Sequence, residues 1–312
     1  MGLSLVTGGA GFIGSNMVRF LLAKGETVRV LDNFETGKRE NLEEIKDQIE
    51  LIEGDIRDLS AVKQAVQGVE VVYHLAALGS VPRSVKDPAT THDVNVNGTF
   101  HMLLASRGAE VKRLVFASSS SVYGQSEVLP QHEGLPLEPI SPYAATKATG
   151  EIYAKGFYKT YGLETICLRY YNVFGPRQDP DSQYAAAIPL FVSALLRDES
   201  PTIFDDGEQS RGFTYIDNVM QANWKAATAA ETHGEAINIS TASSVTVNTV
   251  VNEIRKLLGK EAIKPIYADP RPGDIKHSLA DVRKAGELIG YEPKVSFEDG
   301  IARAIEWYKD NL

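Results

Sequence analysis

The segment SPYAATK, residues 141–147, sets a phenol and an ammonium four residues apart, Tyr143 and Lys147. On a helix that spacing puts both side chains on one face. A free tyrosine, with a pKa near ~10, is a poor base at neutral pH. A neighbouring cation favours the phenolate and lowers that pKa, so the phenol could then take a proton from a hydroxyl. The same pair also describes an aromatic ring packed under a lysine stem on a solvated helix. Some twenty residues earlier, SSSSVYG (118–124) closes an apolar run with four hydroxyls. Alone that run is a polar turn; beside a tyrosine–lysine pair it is a set of groups able to hold a substrate oxygen.

Elements must bring these residues together. Short β-rich runs at 3–7, 27–31, 49–53, 69–75, 113–118 and 164–170 alternate with helical patterns such as FIGSNMVRFLLAKG and the stretch that follows SPYAATK. Near-continuous apolar strands separated by helices predict a parallel sheet covered on both faces, a doubly wound α/β fold of Rossmann type. After about Gly175 prolines and glycines become frequent and the alternation loosens. The expected division is a nucleotide-binding domain over 1–174, with a segment near 214–240 returning to it, and a smaller irregular α/β domain over 175–312 that holds the substrate.

A dinucleotide site is expected along the carboxyl edge of that sheet. TGGAGFIG (7–14) follows the first strand and opens the first helix, with Gly8, Gly11 and Gly14 around Phe12 and Ile13. A tight turn, close backbone approach and a helix N-terminus suit a pyrophosphate. Asp32 ends the second strand, where a carboxylate accepts ribose hydroxyls and repels a 2′-phosphate. Neither Asn33 nor Phe34 supplies a compensating arginine, so NAD is favoured over NADP. Asp55 and Ile56 follow the third strand, and Leu75, Ala76 and Ala77 the fourth. Asn95, Ser118 and Tyr170 complete the expected cofactor set.

Composition narrows the partners. The 312 residues carry a formal net charge of −9, with 43% hydrophobic and 23% charged residues. That balance argues against nucleic acid or an anionic membrane as main partner, though not against an anionic small ligand. No apolar run approaches the ~20 residues of a membrane span. One cysteine, Cys167, cannot form an intramolecular disulfide, and no leader pattern precedes the first strand, so a cytoplasmic protein is expected. Cys167 reads as a small buried hydrophobe.

The glycine motif, the serine run and Tyr-x-x-x-Lys together resemble the extended short-chain dehydrogenase/reductase family, over essentially the whole chain. In detail the chain is most similar to nucleotide-sugar 4-epimerases of the UDP-galactose/UDP-N-acetylglucosamine type. The resemblance implies NAD held as a non-consumed prosthetic group, Tyr143 as base, Lys147 orienting the ribose, and Ser119 bonded to the sugar's 4-oxygen, with Ser120 and Ser121 beside it. Dehydratases and decarboxylases of the family carry a glutamate where this chain has Ser121. Asn172 matches the sugar-diphosphate contact, Arg211 and Arg271 the diphosphate clamp, and Asp274 the uridine-ribose acceptor; guanidinium forks suit phosphate oxygens. The family commonly has Arg-Asp-Phe where Arg211-Gly212-Phe213 stands here.

Ser278 matches the residue whose size limits the C2 substituent. Ser80, Gln178 and Ala186 match a sugar pocket for N-acetylated UDP-hexosamines. The expected reaction is therefore interconversion of UDP-GlcNAc and UDP-GalNAc, with UDP-Glc and UDP-Gal also accepted. A UDP-glucuronate 4-epimerase is an alternative, with Arg83, Arg177 or Lys276 facing the carboxylate. A catalytically silent NAD-binding regulator is another. The resemblance also implies a homodimer through helices around 90–107 and 143–160, where Met102, Leu103 and Leu104 fit an interface or a core equally well.

Overall fold

Strands rich in Val, Ile and Leu with no polar alternation must be covered on both faces, and the sheet is built that way. The computed structural model describes residues 2–180, 186–270 and 276–312. Seven strands form the central sheet: β1 (Leu3–Thr7), β2 (Thr27–Asp32), β3 (Ile49–Glu53), β4 (Val69–His74), β5 (Arg113–Ser119), β6 (Glu164–Tyr170) and β7 (Ala236–Ile239). Their order is β7-β6-β5-β4-β1-β2-β3, and every pairing is parallel. The six expected strands are all present. β7 is a seventh that periodicity missed, because AINI is short and carries a polar Asn238 at its centre.

Helices cover both faces. On one, α1 (Phe12–Ala23) packs Met17, Val18 and Leu21 against Val6, Val28 and Val30. On the other lie α2 (Leu59–Ala65), α3 (Gly98–Gly108) and α4 (Pro142–Tyr161), whose Val62, Met102, Leu103, Ala154 and Phe157 meet Leu5, Leu31, Val72, Leu114 and Cys167. Met102 and Leu103 thus belong to the core, whereas Leu104 is partly exposed. α5 (Ile216–Thr228) joins the α1 face.

Chain order reverses between β1 and its two neighbours, β2 and β4, which opens a crevice beyond the strands' carboxyl ends. The second half closes over that edge with two-stranded pairs, 202–204 with 266–268 and 210–211 with 245–246, and ends in α6 (Phe297–Asn311). One apolar cluster runs from the sheet into these elements through Ile188, Phe213, Ile254 and Tyr308. Among the described residues no helix is long and apolar enough to cross a membrane.

Candidate active site

β1 runs into Gly8 at φ +68°, where an added Cβ would lie 2.8 Å from the Ala76 backbone. The turn then folds onto itself: Gly11 N donates to Gly8 O at 3.1 Å, and a Cβ on Gly14 would sit 2.0 Å from that same oxygen. Only glycines pass here. α1 begins directly after Gly11, and no side chain caps its first turn. Its leading amides are therefore available to an anion.

Asp32 sits opposite. Its Oδ2 accepts from Ala10 N and its Oδ1 from Phe34 N, both at 2.8 Å. Burial pushes this carboxyl above the usual range, and the two amide bonds oppose that. Asp55 is held well below the usual carboxylate range, at about 2, chiefly by Arg57, while Asn33 donates to it at 2.7 Å. Thr7 Oγ1 accepts from Leu75 N and Ala76 N and bonds the buried His74 ring at 2.8 Å, which fixes the loop after β4.

These pieces enclose a cleft of about 590 Å³. It is lined by Gly8, Gly11, Phe12, Ile13, Gly14, Asp32, Asn33, Asp55, Ile56, Leu75, Ala76, Ala77, Ser118, Tyr143, Lys147 and Tyr170, all of them expected. An uncapped helix start, a turn that a Cβ would fill and a carboxylate at the end of β2 fit a dinucleotide. Asn95 is placed elsewhere: it is buried behind the cleft, where its amide bonds both backbone groups of Leu78 and the Thr146 hydroxyl.

The cleft also has walls that the sequence did not reveal. Gly37 and Lys38 line one side, and the Gly-Lys pair shortly after Asp32 was the available signal. Arg177 and Asp179 line the other with Trp307 and Leu312 from the chain's end, placed there by tertiary packing that no local pattern announces. A 3.0 Å ion pair between Lys38 and Asp179 joins the two sides.

α4 delivers the tyrosine–lysine pair. Ser141 caps it by accepting from Ala144 N at 3.2 Å, Pro142 opens its first turn, and Gly162 ends it at φ +73°. Tyr143 is half-buried at the cleft, with its hydroxyl beside Ser119. Ser119 is itself aimed, since its Oγ accepts from Ser121 Oγ at 2.9 Å and Ser121 N at 3.2 Å. Ser121, where an acid would stand in a dehydratase, is occupied in orienting its neighbour.

Lys147 is buried and donates to Ala117 O at 2.7 Å, with its Nζ 4.9 Å from the Phe116 ring centre. Burial pushes its pKa down to about 8, against the pull of Glu151. The expected depression of Tyr143 by Lys147 is not what the protein alone produces. Burial moves the phenol up, and the opposing contribution comes from Ser119. The Lys147 Nζ lies 6.0 Å from the Tyr143 ring centre and donates to Ala117 O.

The second half presents a separate ridge. Asn172, at φ +32°, donates to Gly212 O at 3.0 Å. Arg211 donates to Ser210 O and Lys276 O, and Ser278 N bonds Ser210 O at 3.0 Å. Asn172, Arg211 and Ser278 are thereby brought together. A Cβ on Gly212 would lie 3.0 Å from Ser240 Oγ and 3.3 Å from Ser243 O, so a side chain there has little room.

Ser278 is buried, with no hydrogen-bond partner for its Oγ among the described residues. Gln178 and Ala186 line the cleft, whereas Ser80 caps the helix Val81–Lys86 by accepting from Arg83 N. Ser120 opens the short 3₁₀ turn after β5. Arg83 pairs with Glu35 at 2.8 Å, and Arg177 lies 3.9 Å from Glu44. Arg271 and Asp274 fall outside the described residues.

Residues 5–304 match the family described as GDP-mannose 4,6 dehydratase, a branch of the extended short-chain dehydrogenases/reductases. The chain belongs to this family. A UDP-glucose 4-epimerase of Mycolicibacterium smegmatis is 37% identical over 98% of each chain. A UDP-N-acetylglucosamine 4-epimerase of Methanobrevibacter ruminantium, solved with UDP-N-acetylmuramic acid, is 39% identical with a TM-score of 0.95, covering 100% of this chain and 99% of that one. A Thermus thermophilus UDP-glucose 4-epimerase, solved with NAD, is 36% identical with a TM-score of 0.90, covering 99% and 100%. The chain is similar to nucleotide-sugar 4-epimerases, and the sugars in these names differ.

Proposed function

We propose that the protein is a UDP-hexose 4-epimerase that retains NAD, interconverts UDP-GlcNAc and UDP-GalNAc, and also accepts UDP-Glc and UDP-Gal. The observation that carries this reading is Ser119, oriented by Ser121 and set beside Tyr143 at the cleft, backed by Lys147 and free of any carboxylate in the serine run. Tyr143 removes the proton of the sugar's 4-hydroxyl, and Ser119 holds the same oxygen in line. NAD, held by the Gly8–Gly14 turn, Asp32 and Lys147, would supply reversible hydride transfer at C4 and a positive charge in the cleft. Tyr143 gives its proton back once the 4-keto sugar has turned over. No group is positioned in the serine run to eliminate or decarboxylate, so the sugar leaves changed only at C4.

The ridge of Asn172 and Arg211 offers hydrogen-bond donors suited to a sugar diphosphate. Arg271 and Asp274 are proposed to complete it. A serine at position 278 leaves room for an N-acetyl group at C2 that a tyrosine would crowd, and a roomy pocket rarely rejects the smaller substrate strongly. Arg83 and Arg177 face Glu35 and Glu44, which weakens the glucuronate reading.

The test is incubation of the purified protein, without added NAD, with UDP-GlcNAc, UDP-Glc and UDP-GlcA separately, each resolved for its C4 epimer. Epimer formed from the first two supports the proposal. Turnover of UDP-GlcA alone would replace it with the uronate enzyme. No epimer, even with added NAD, would point to a cofactor-binding regulator.

A further inference from the structure

Below the tyrosine–lysine face lies a buried carboxylate that the epimerase chemistry does not use. Glu151 is one helical turn beyond Lys147, as Lys147 is one turn beyond Tyr143. The three side chains of α4 engage three consecutive residues at the end of β5. Tyr143 stands beside Ser119, Lys147 donates to Ala117 O at 2.7 Å, and Glu151 accepts from Ser118 Oγ at 2.5 Å. On the next strand Arg169, paired in register with Ser118, grips Glu151 through two bonds of 2.9 and 2.7 Å. Arg169 also donates to the Tyr123 hydroxyl, which bonds Asn238 on β7. Ser118, Glu151 and Arg169 are all more than nine-tenths buried.

We infer that Glu151, held by Arg169, is a positioning residue: it fixes the register of α4 against the end of β5 and holds the charge on Lys147. The inference rests on the reading of Tyr143 and Lys147 as the catalytic pair. The geometry accounts for position, because the two bonds from α4, to Ala117 O and Ser118 Oγ, resist sliding of the helix along β5. The charge follows from what surrounds Lys147. Facing it are Tyr143 and Glu151 on its own helix, Cys167 on β6 and His74 on β4, while Arg169 on β6 is bonded to Glu151. Burial lowers His74 to about 3 and raises the Cys167 thiol well above its usual value, so both are neutral where Lys147 titrates. Glu151 is then the anion that favours the ammonium, and Arg169 is the cation that tempers it.

This arrangement makes opposite predictions for the two partners. Glu151→Gln keeps a side chain able to bond Ser118 but leaves Arg169 uncompensated, so Lys147 should lose its proton more readily. Arg169→Met leaves Glu151 unbalanced, so Lys147 should hold its proton longer. Titration of the protein as purified, with lysine Cε carbons labelled with carbon-13 and Lys147 assigned by the loss of its signal in Lys147→Arg, reads this directly. We expect the midpoint to fall by roughly one pH unit in Glu151→Gln and to rise by a similar amount in Arg169→Met. The double variant should return close to the wild type.

In turnover, the same downward movement should shift the pH–rate profile of Glu151→Gln towards acid, with about twofold less activity at neutral pH. Near-UV circular dichroism establishes which variants are folded, and Arg169→Met and the double variant carry the prediction if Glu151→Gln is not. Midpoints that move in the same direction in both single variants, or in neither, overturn the inference. An inactive wild type would overturn the proposed function instead and leave the titration standing.

Discussion

Lys147 is an ammonium sunk in the protein, and its cost can be measured. In the unfolded chain its pKa is 10.5 and in the native protein about 8, so the native state disfavours the charged form. At neutral pH both states carry the proton, and the native state bears a penalty of about 3 kcal/mol. Between pH 8 and 10.5 the native state sheds the proton while the unfolded chain keeps it, so stability rises with pH through that window. Lys147→Met removes the charge and keeps most of the stem, at the loss of the bond to Ala117 O, worth about 1 kcal/mol. The variant should therefore be more stable than the wild type by about 2 kcal/mol at pH 7. The linkage relation takes roughly 2 kcal/mol off that difference by pH 9.5. Urea unfolding of both proteins at the two pH values, stripped of cofactor so that binding to the native state does not mask the difference, reads it out. Turnover should be lost in the variant. A stability difference that is the same at pH 7 and pH 9.5 would refute the argument, because the buried charge would then not be there.

Three further outcomes follow from the site. Gly14→Ala places a Cβ 2.0 Å from Gly8 O, so the first turn of α1 must move; bound NAD, read from the absorbance ratio of the purified protein, should be lost, with about 1–3 kcal/mol of stability. Ser121→Ala removes the hydroxyl that orients Ser119; kcat should fall about fivefold, the value of one hydrogen bond of ~1 kcal/mol, with KM little changed. The proposed homodimer has a candidate face in Phe100, Ile152, Tyr153 and Tyr161 of α3 and α4, all at least 36% exposed, with Phe100 and Tyr153 5.3 Å apart between ring centres. Ile152→Asp should convert dimer to monomer in sedimentation velocity. The fold should survive, because an exposed position away from caps and core tolerates such a change within about 0.5 kcal/mol.

The features most legible in the sequence are those that one strand, one turn or one helix determines. All six β-rich runs are strands; five have buried residues, and the edge strand IELIE, with Glu50 and Glu53, is left largely exposed. Gly8 and Gly14 are demanded by a turn in which a Cβ would fall 2.8 and 2.0 Å from backbone atoms, so their spacing carries the cofactor site with it. Asp32 lies where β2 must end. Asn95 lies outside the lining of the cleft because its amide serves the backbone of Leu78, a contact set by how the segment after β4 folds back. Trp307 and Leu312 reach the cleft only because α6 packs across the second half, which leaves no mark on their neighbours in the chain.

The chemistry of the pair that defines the site divides along the same line. Tyr143 and Lys147 share a helix face, and that much follows from their spacing alone. Their protonation does not, because it depends on what buries them. Spacing suggested an ammonium that lowers the phenol's pKa, yet in the folded chain the lysine itself is pushed down and the phenol up. Glu151 continues the same four-residue period and was equally visible, but its meaning comes from Arg169 on another strand and from the register that sets Arg169 beside Ser118. A motif therefore places a proton donor and acceptor on one face. The sheet behind the helix determines which of them holds the proton.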